Sequence, residues 1–359
     1  MYKIELDSKK VVGKCIDAIR EGTNASLGDC HQSFQAVLQI LEPFLGSSTQ
    51  FPEIQETTET YEPDIENCYD RKVLDSICSR LYDILLEKQE LSYSSNDNDI
   101  ELCQSLEVFC DITKKTDARI PLEIISRDNY DWLNQLITVL QMDQETSVRR
   151  SIIETFHTIL ICLDQKVIHA LCDTQLPIVL VSMTSSSEDS KMLKVLALLY
   201  STDVTPPLSH LDYLNIEYFS RLYSLNIDED DVFNLSSNLF YLLRMSDLST
   251  DCLIEPMVKN PYDCAKYAIT MISSLNRVCT VKRLMYVEAV IQLGKETLEN
   301  LFYDNDLKVL THVLAREMIN HSDDKVRKLC HTMLNTLIND CHVAPDAEIR
   351  ESLSEFNVL

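Results

Sequence analysis

The sequence predicts an all-α protein of the armadillo/HEAT-like helical-repeat class, an α-solenoid, on three observations. Glycine is scarce: there are five in 359 residues, and neither Asn-Gly nor Asp-Gly occurs. Tight β-hairpins need such residues at positive φ, so few hairpins are possible. Three segments share a Val-basic-basic opening followed by apolar residues at helical spacing, beginning at Val148, Val281 and Val326. The last two start 45 residues apart and the first two 133 apart, which is three steps of about 44, within the HEAT/armadillo period. Finally, 359 residues with 45% hydrophobic content exceed the roughly 250–300 residues at which a single core stops growing. Stacked repeats escape that limit because each touches only its neighbours.

Taken in order, residues 1–125 read as an N-terminal helical region with helices near 30–45, 69–89 and 100–114. Between the first two lies Gly46 to Asn67, GSSTQFPEIQETTETYEPDIEN, rich in Glu and Thr and holding Pro52 and Pro63; it reads as a long acidic loop. Ser92 to Asp99 and Ser185 to Ser190 read as shorter polar loops. Residues 126–359 read as the repeats, continuous with the first region, with a softer division near 115–127. Their helices are expected near 128–142, 146–161, 163–173, 190–202, 212–225, 230–245, 261–274, 279–293, 295–302, 304–319 and 323–340. The copies between Val148 and Val281 should begin near 192 and 237, where Met192 to Tyr200 and Leu239 to Met245 are apolar at helical spacing. Thr205-Pro-Pro-Leu-Ser-His210 breaks the series, since proline removes donors and fixes φ. Thr146 or Ser147 is expected to cap the Val148 helix, Asp304 or Asn305 the Leu307 helix, and Ser322 the Lys325 helix. Leu307, Leu310, Val313 or Leu314, and Met318 form one buried stripe.

The charge is −25, from 57 acidic and 32 basic residues. Nucleic-acid binding needs many cations on phosphates, so that function is disfavoured, and so is an anionic membrane surface. A basic or apolar protein surface is the expected partner. The 13 cysteines are odd in number, and no Cys-x-x-Cys occurs; they read as reduced cytosolic core thiols. The N-terminus lacks a basic region followed by an apolar run, so no signal peptide is expected. Apolar runs such as Val195 to Tyr200 are far short of a membrane span, and no integral membrane association is expected.

Candidate chemistry is sparse. His157 with Cys162, His169 with Cys172, Cys330-His331 and Cys341-His342 lie close in sequence, but a structural zinc site needs four ligands at short regular spacing. No metal or cofactor is expected. A Cys–His nucleophile pair has no marker singling out one cysteine. No phosphate-binding glycine loop, GxSxG elbow or HExxH motif is present. The acidic clusters Asp228 to Asp231 and Asp323-Asp324 lack the EF-hand register and read as solvated turns. The protein is therefore expected not to be an enzyme.

Two regions carry a resemblance: Trp132-Leu-Asn-Gln-Leu-Ile-Thr-Val-Leu-Gln-Met through Thr146-Ser-Val-Arg-Arg150 to Pro177, and Asn305-Asp-Leu-Lys-Val-Leu310 through Asp323-Asp-Lys-Val-Arg-Lys-Leu-Cys330 to Ile338. They resemble the leucine-rich domain family of the NCK-interacting SH3 protein and its shorter fungal Dip-type relatives, activators of the Arp2/3 complex. The resemblance implies a regulator that binds and activates the Arp2/3 complex without WASP or a preformed filament, seeding linear actin filaments in the cytoplasm at the cortical actin cytoskeleton. The chain looks like the short, domain-only form, acting as a monomer. WASP-type activators end in an acidic tail containing Trp; here the sole Trp is Trp132, so activation is expected from the folded surface.

The motif-matched basic residues Arg149, Arg150, Lys308, Arg316, Lys325, Arg327 and Lys328 are the candidates for contacting the partner. The alternative for each is an intramolecular bridge, for which Asp143, Glu145, Asp323 and Asp324 are available, or plain solvation. The competing function is a general armadillo/HEAT protein–protein adaptor, of the formin-regulatory or transport type, without nucleation activity.

Overall fold

The computed structural model describes residues 7–46, 50–94, 98–184, 190–225 and 229–356. Among them are twenty α-helices and no strand, so the chain is an all-α helical-repeat protein. No single described helix is long and apolar enough to cross a membrane. The chain divides into two compact units, Met1–Ala170 and Leu171–Leu359. The softer division expected near 115–127 falls inside the first of them.

The first unit contains α1 (Ser8–Thr23), α2 (Leu27–Leu45), α3 (Phe51–Glu59), α4 (Tyr69–Glu90), α5 (Asn98–Lys115), α6 (Arg119–Ile125), α7 (Asp131–Met142) and α8 (Thr146–Cys162); α9 (Gln165–Cys172) runs across the division. Helices α1 to α3 pack together around Val12, Ile16, Cys30, Phe34, Leu38 and Phe51. This corrects the reading of 46–67 as a loop, although residues 47–49 lie outside the described residues. Phe51, Ile54 and Thr58 recur at helical spacing and seat α3 on α1 and α2. Pro52 sits in the first turn, where its missing N–H costs nothing. The acidic residues of α3 face outward, which is why composition alone reads as loop.

Two buried ion pairs lock the unit. Arg20 donates from Nε to Asp70 Oδ1 at 2.9 Å and from Nη1 to the Ala25 carbonyl at 2.6 Å. Lys88, fully buried in α4, pairs with Asp99 at the start of α5 and with Asp143 Oδ2 at 2.6 Å. Asp143, expected to serve the Val148 helix arginines, is therefore held by Lys88. Of the Ser92–Asp99 loop, 95–97 lie outside the described residues, and Asn98 already begins α5.

The second unit contains α10 (Leu176–Met183), α11 (Ser190–Leu199), α12 (Ile216–Ser224), α13 (Glu229–Met245), α14 (Asp251–Lys259), α15 (Pro261–Arg277), α16 (Val281–Ile291), α17 (Lys295–Leu301), α18 (Asp304–Asn320), α19 (Asp324–Asn339) and α20 (Ala347–Phe356). Of the polar loop 185–190, residues 185–189 lie outside the described residues. Helices α11, α13, α16 and α19 stack successively: α11 begins at Ser190, close to the copy expected near 192, α13 begins at Glu229, eight residues before the copy expected near 237, and α16 and α19 are those at Val281 and Val326. A second row, α12, α15 and α18, packs alongside. The repeat is a triplet rather than a hairpin. Short α14 and α17 precede the long pairs α15–α16 and α18–α19, and equivalent helices start about 43–44 residues apart.

The α18 stripe is as expected: Leu307, Leu310, Val313, Leu314 and Met318 are all buried, each worth about 1.5–3 kcal/mol relative to exposure. The caps differ from those expected: Glu145 and Tyr303 stand one residue before Thr146 and Asp304, and Asp323 one residue after Ser322. Glu145 accepts from the Ser147 N–H and Asp323 from the Lys325 N–H at 2.8 Å, while the Asp306 carboxylate accepts from the Tyr303 N–H at 3.0 Å. At α8 and α19 an acidic side chain takes the place of the hydroxyl beside it, and a carboxylate is also favoured at the positive end of the helix dipole.

Candidate functional site

Helices α16 and α19 open with basic pairs, and the structure shows what these pairs do. Arg283 donates from Nη1 to the carbonyls of Ser274 (3.0 Å) and Val278 (2.7 Å), and from Nη2 to Asn234 Oδ1 (2.7 Å). Lys282 donates to the Ser201 carbonyl at 2.7 Å and pairs with Asp203 at 3.0 Å. Arg327 donates from Nε to the Met318 carbonyl at 3.1 Å. Arg316 donates to Asn276 Oδ1 at 2.8 Å and to the Asn276 carbonyl at 3.2 Å. The receiving carbonyls of Ser274 and Asn276 close α15, and that of Met318 closes α18. The arginines therefore bind carbonyls in the last turns of α15 and α18, where a cation is also favoured by the dipole.

The candidate partner residues thus separate. Arg316 and Arg327 are engaged within the unit. Arg149 is half-buried in α8, and its Nε has no hydrogen-bond partner among the described residues. Arg150, Lys308, Lys325 and Lys328 are exposed. Lys308 lies in the first turns of α18, about 12 Å along the helix axis from Arg316. Of the acidic groups expected as solvated turns, Asp228 lies outside the described residues. Asp230 pairs with Arg277 and accepts from Ser274, and Asp231 is buried near Lys194. These two carboxylates tie α13 to its neighbours.

What surrounds Lys308 was not singled out by the sequence. Tyr262, at the start of α15, is 77% exposed and donates its hydroxyl hydrogen to Asn300 Oδ1 of α17 at 3.0 Å. Tyr303, which caps α18, is 73% exposed, and Val309 beside Lys308 is half exposed. The ends of α15, α17 and α18 therefore carry two open tyrosines, a half-exposed valine and an exposed lysine. Exposed aromatic rings in such company are the residue type that carries binding energy at protein interfaces. Tyr303 is in i, i+4 register with Leu307 and so reads as part of the α18 apolar stripe; its exposure follows from its place before the helix as N-cap.

The repeats of the second unit are also joined by a buried tyrosine network. Tyr223 (α12) and Tyr267 (α15) stack with centroids 4.1 Å apart at 6°. The Tyr286 hydroxyl (α16) lies 2.9 Å from that of Tyr223 and accepts from that of Tyr267 at 3.2 Å. Tyr223 also reaches Ser236 Oγ (α13) and the Leu253 carbonyl (α14), each at 3.2 Å. Burial pushes all three phenols upward in pKa, so they act as neutral hydrogen-bond partners linking five helices.

The cysteine and histidine candidates are dispersed. All thirteen cysteines are free thiols. Burial pushes the thiols of Cys78, Cys172 and Cys264 up to about 12 and Cys252 to about 11, away from the nucleophilic thiolate. His331 stacks on Phe356 at 4.8 Å. Among the described residues no group of three or more His, Cys, Asp or Glu is placed to hold a metal ion.

Comparison with known proteins bears on this same unit. The model of one family, the SPIN90/Ldb17 leucine-rich domain, matches residues 229–347, from α13 through both triplets to the first residue of α20. No curated protein matches the chain. The matched segment, about a third of the chain, contains Tyr262, Tyr303 and Lys308, and over it the chain is similar to the SPIN90/Ldb17 leucine-rich domain.

Proposed function

We propose that this protein binds the Arp2/3 complex and activates it without WASP or a preformed filament, seeding linear actin filaments at the cell cortex. The observation that carries the reading is the family match over 229–347, coincident with the triplet repeats that expose Tyr262, Tyr303 and Lys308. The mechanism is differential affinity: a rigid surface that binds the active arrangement of a multi-subunit complex more tightly than the resting one shifts the population toward it. Raising the active fraction from 1:99 to 99:1 requires about a 10⁴-fold preference. No covalent step, cofactor or metal takes part, and the protein works in the cytoplasm.

Within this reading, the tyrosine–lysine edge is the contact surface, and Arg316 and Arg327 support it from inside by closing α15 and α18. The test is assembly of pyrene-labelled actin with purified Arp2/3 complex, omitting WASP and filament seeds. The wild-type chain accelerates assembly. Tyr303→Ala with Lys308→Glu needs about tenfold more protein for the same rate, with its denaturation midpoint unchanged. Absence of acceleration by the wild-type chain leaves the adaptor reading in its place. Full activity of the double variant moves the contact away from this edge.

A further inference from the structure

We propose that the outer face of α2 is a docking surface for a basic amphipathic helix of a partner protein. The surface lies wholly in the first unit and is independent of the actin reading.

Helix α2 buries Cys30, Phe34 and Leu38 against α1 and α3. Its outer face is apolar as well. Val37, Ile40, Leu41, Phe44 and Leu45 are 36–77% exposed, with Ile40 at 69% and Phe44 at 77%. Their spacing is i, i+3, i+4, i+7 and i+8, the stripe by which a helix meets another element. From Gln39 to Gly46 every residue is exposed, so the last two turns of α2 contribute nothing to the core of the unit. A contiguous apolar patch of this kind marks an interaction site. The stripe is straight and about 12 Å long, which fits the ridge-and-groove packing of one more helix.

Charge selects that helix. From residue 21 to residue 70, which takes in all of α2 and α3, the chain has ten Asp or Glu and no Lys or Arg. Glu42 beside the stripe and Glu56 and Glu59 on α3 are exposed. The exposed lysines of this three-helix cluster, Lys9, Lys10 and Lys14, are all on α1. Helix α2 also ends without a basic residue in its last turn. In the second unit arginines bind the last-turn carbonyls of α15 and α18; α2 has no such cation, and Glu42 stands at the negative end of its dipole. A helix with Lys or Arg along the margins of an apolar stripe answers both features. Its apolar residues cover the ridge, and its cations reach the glutamates and the terminal carbonyls. An anionic lipid surface would be repelled by the same acids, and a second copy of this chain would set Glu42 and its acidic neighbours against their own kind.

The experiment titrates the full chain into a fluorescein-labelled leucine–lysine peptide, about 18 residues long with its leucines at helical spacing, and reads anisotropy. Saturable one-to-one binding is expected. A shuffled peptide of the same composition, and a peptide with glutamate in place of lysine, should each bind at least about tenfold more weakly. Ile40→Gln with Phe44→Gln should weaken binding of the patterned peptide about tenfold, with the denaturation midpoint unchanged because both side chains are exposed. Glu42→Lys should weaken it about threefold. No binding of the patterned peptide, equal binding of the shuffled one, or full affinity in the Ile40→Gln/Phe44→Gln variant would overturn the proposal. So would a dimer seen by light scattering that this variant abolishes, or cosedimentation with phosphatidylcholine–phosphatidylserine vesicles that it abolishes, since either would give the face to another occupant.

Discussion

Replacing Lys88 by methionine is the sharpest test of what holds the first unit together. Its ammonium is fully buried, pairs with Asp99 and with Asp143 Oδ2 at 2.6 Å, and reaches the Ser94 carbonyl at 3.4 Å. Both carboxylates are themselves buried. Lys88→Met leaves the space filled but two carboxylates uncompensated, one at the start of α5 and one at the end of α7. Breaking a buried pair from one side costs about 3–5 kcal/mol, a shift in urea midpoint on the order of 1–2 M. The assay is local, because the only tryptophan is Trp132 in α7, packed edge-on to Phe109 at 5.1 Å. Its fluorescence reports this unit. Adding Asp99→Asn and Asp143→Asn to Lys88→Met should restore most of the loss, since the uncompensated charge then disappears. A single-variant loss below about 1 kcal/mol, or no recovery in the triple variant, refutes the reasoning. The pH direction follows as well. Burial works against the Lys88 charge, but the hydrogen bonds to Asp143 and Asp99 override it and leave the pKa raised. The pair's contribution is whole below the unfolded lysine value of about 10.4 and is lost as pH climbs through the higher folded value.

Three further outcomes are expected. Tyr286→Phe removes one hydroxyl from the five-helix network and should cost about 1–3 kcal/mol by thermal melting; a neutral effect would show that Tyr223 and Tyr267 are satisfied without it. Gly294 holds φ +88° and ψ 170° between α16 and α17, a region nearly closed to side chains. Gly294→Ala should therefore cost about 1–3 kcal/mol although no atom lies within 4 Å of the added methyl. His210, whose Nδ1 lies 3.0 Å from the Tyr200 hydroxyl, is held neutral by burial, with Asp173 opposing, so its pKa is lowered. Its contribution is whole above about pH 6.5 and declines as pH falls toward the folded value. Melting temperatures between neutral and mildly acid pH should fall more in the wild type than in His210→Gln.

The long helices were legible because their apolar stripes repeat over several turns. Leu307 to Met318 and Val326 to Leu337 announce themselves, and the Val-basic-basic openings located the stacked row α11, α13, α16 and α19. Among the helices that escaped, α1 is sixteen residues long and carries Gly13 in its interior, and the others were short or carried a break signal. Helices α6, α10 and α14 contain Pro121, Pro177 and Pro256, and α3 hides its few apolar residues among glutamates. Without the short helices, triplets read as hairpins. The tyrosine network was invisible because Tyr223 and Tyr286 are 63 residues apart and meet only once the rows stack. The basic pairs were found, but their role was not: whether an arginine faces a partner or closes a neighbouring helix depends on where that helix ends, as Arg316 and Asn276 show. The open tyrosines at positions 262 and 303 resemble core aromatics until the helix starts beside them are placed.

The most direct measurement of the central claim is fluorescence microscopy of single actin filaments grown with purified Arp2/3 complex and this protein, without WASP and without preformed filaments. New filaments should start unbranched, in numbers that rise with protein concentration. Filament starts no more frequent than with Arp2/3 complex alone, or new filaments arising only as branches on existing ones, would contradict the account.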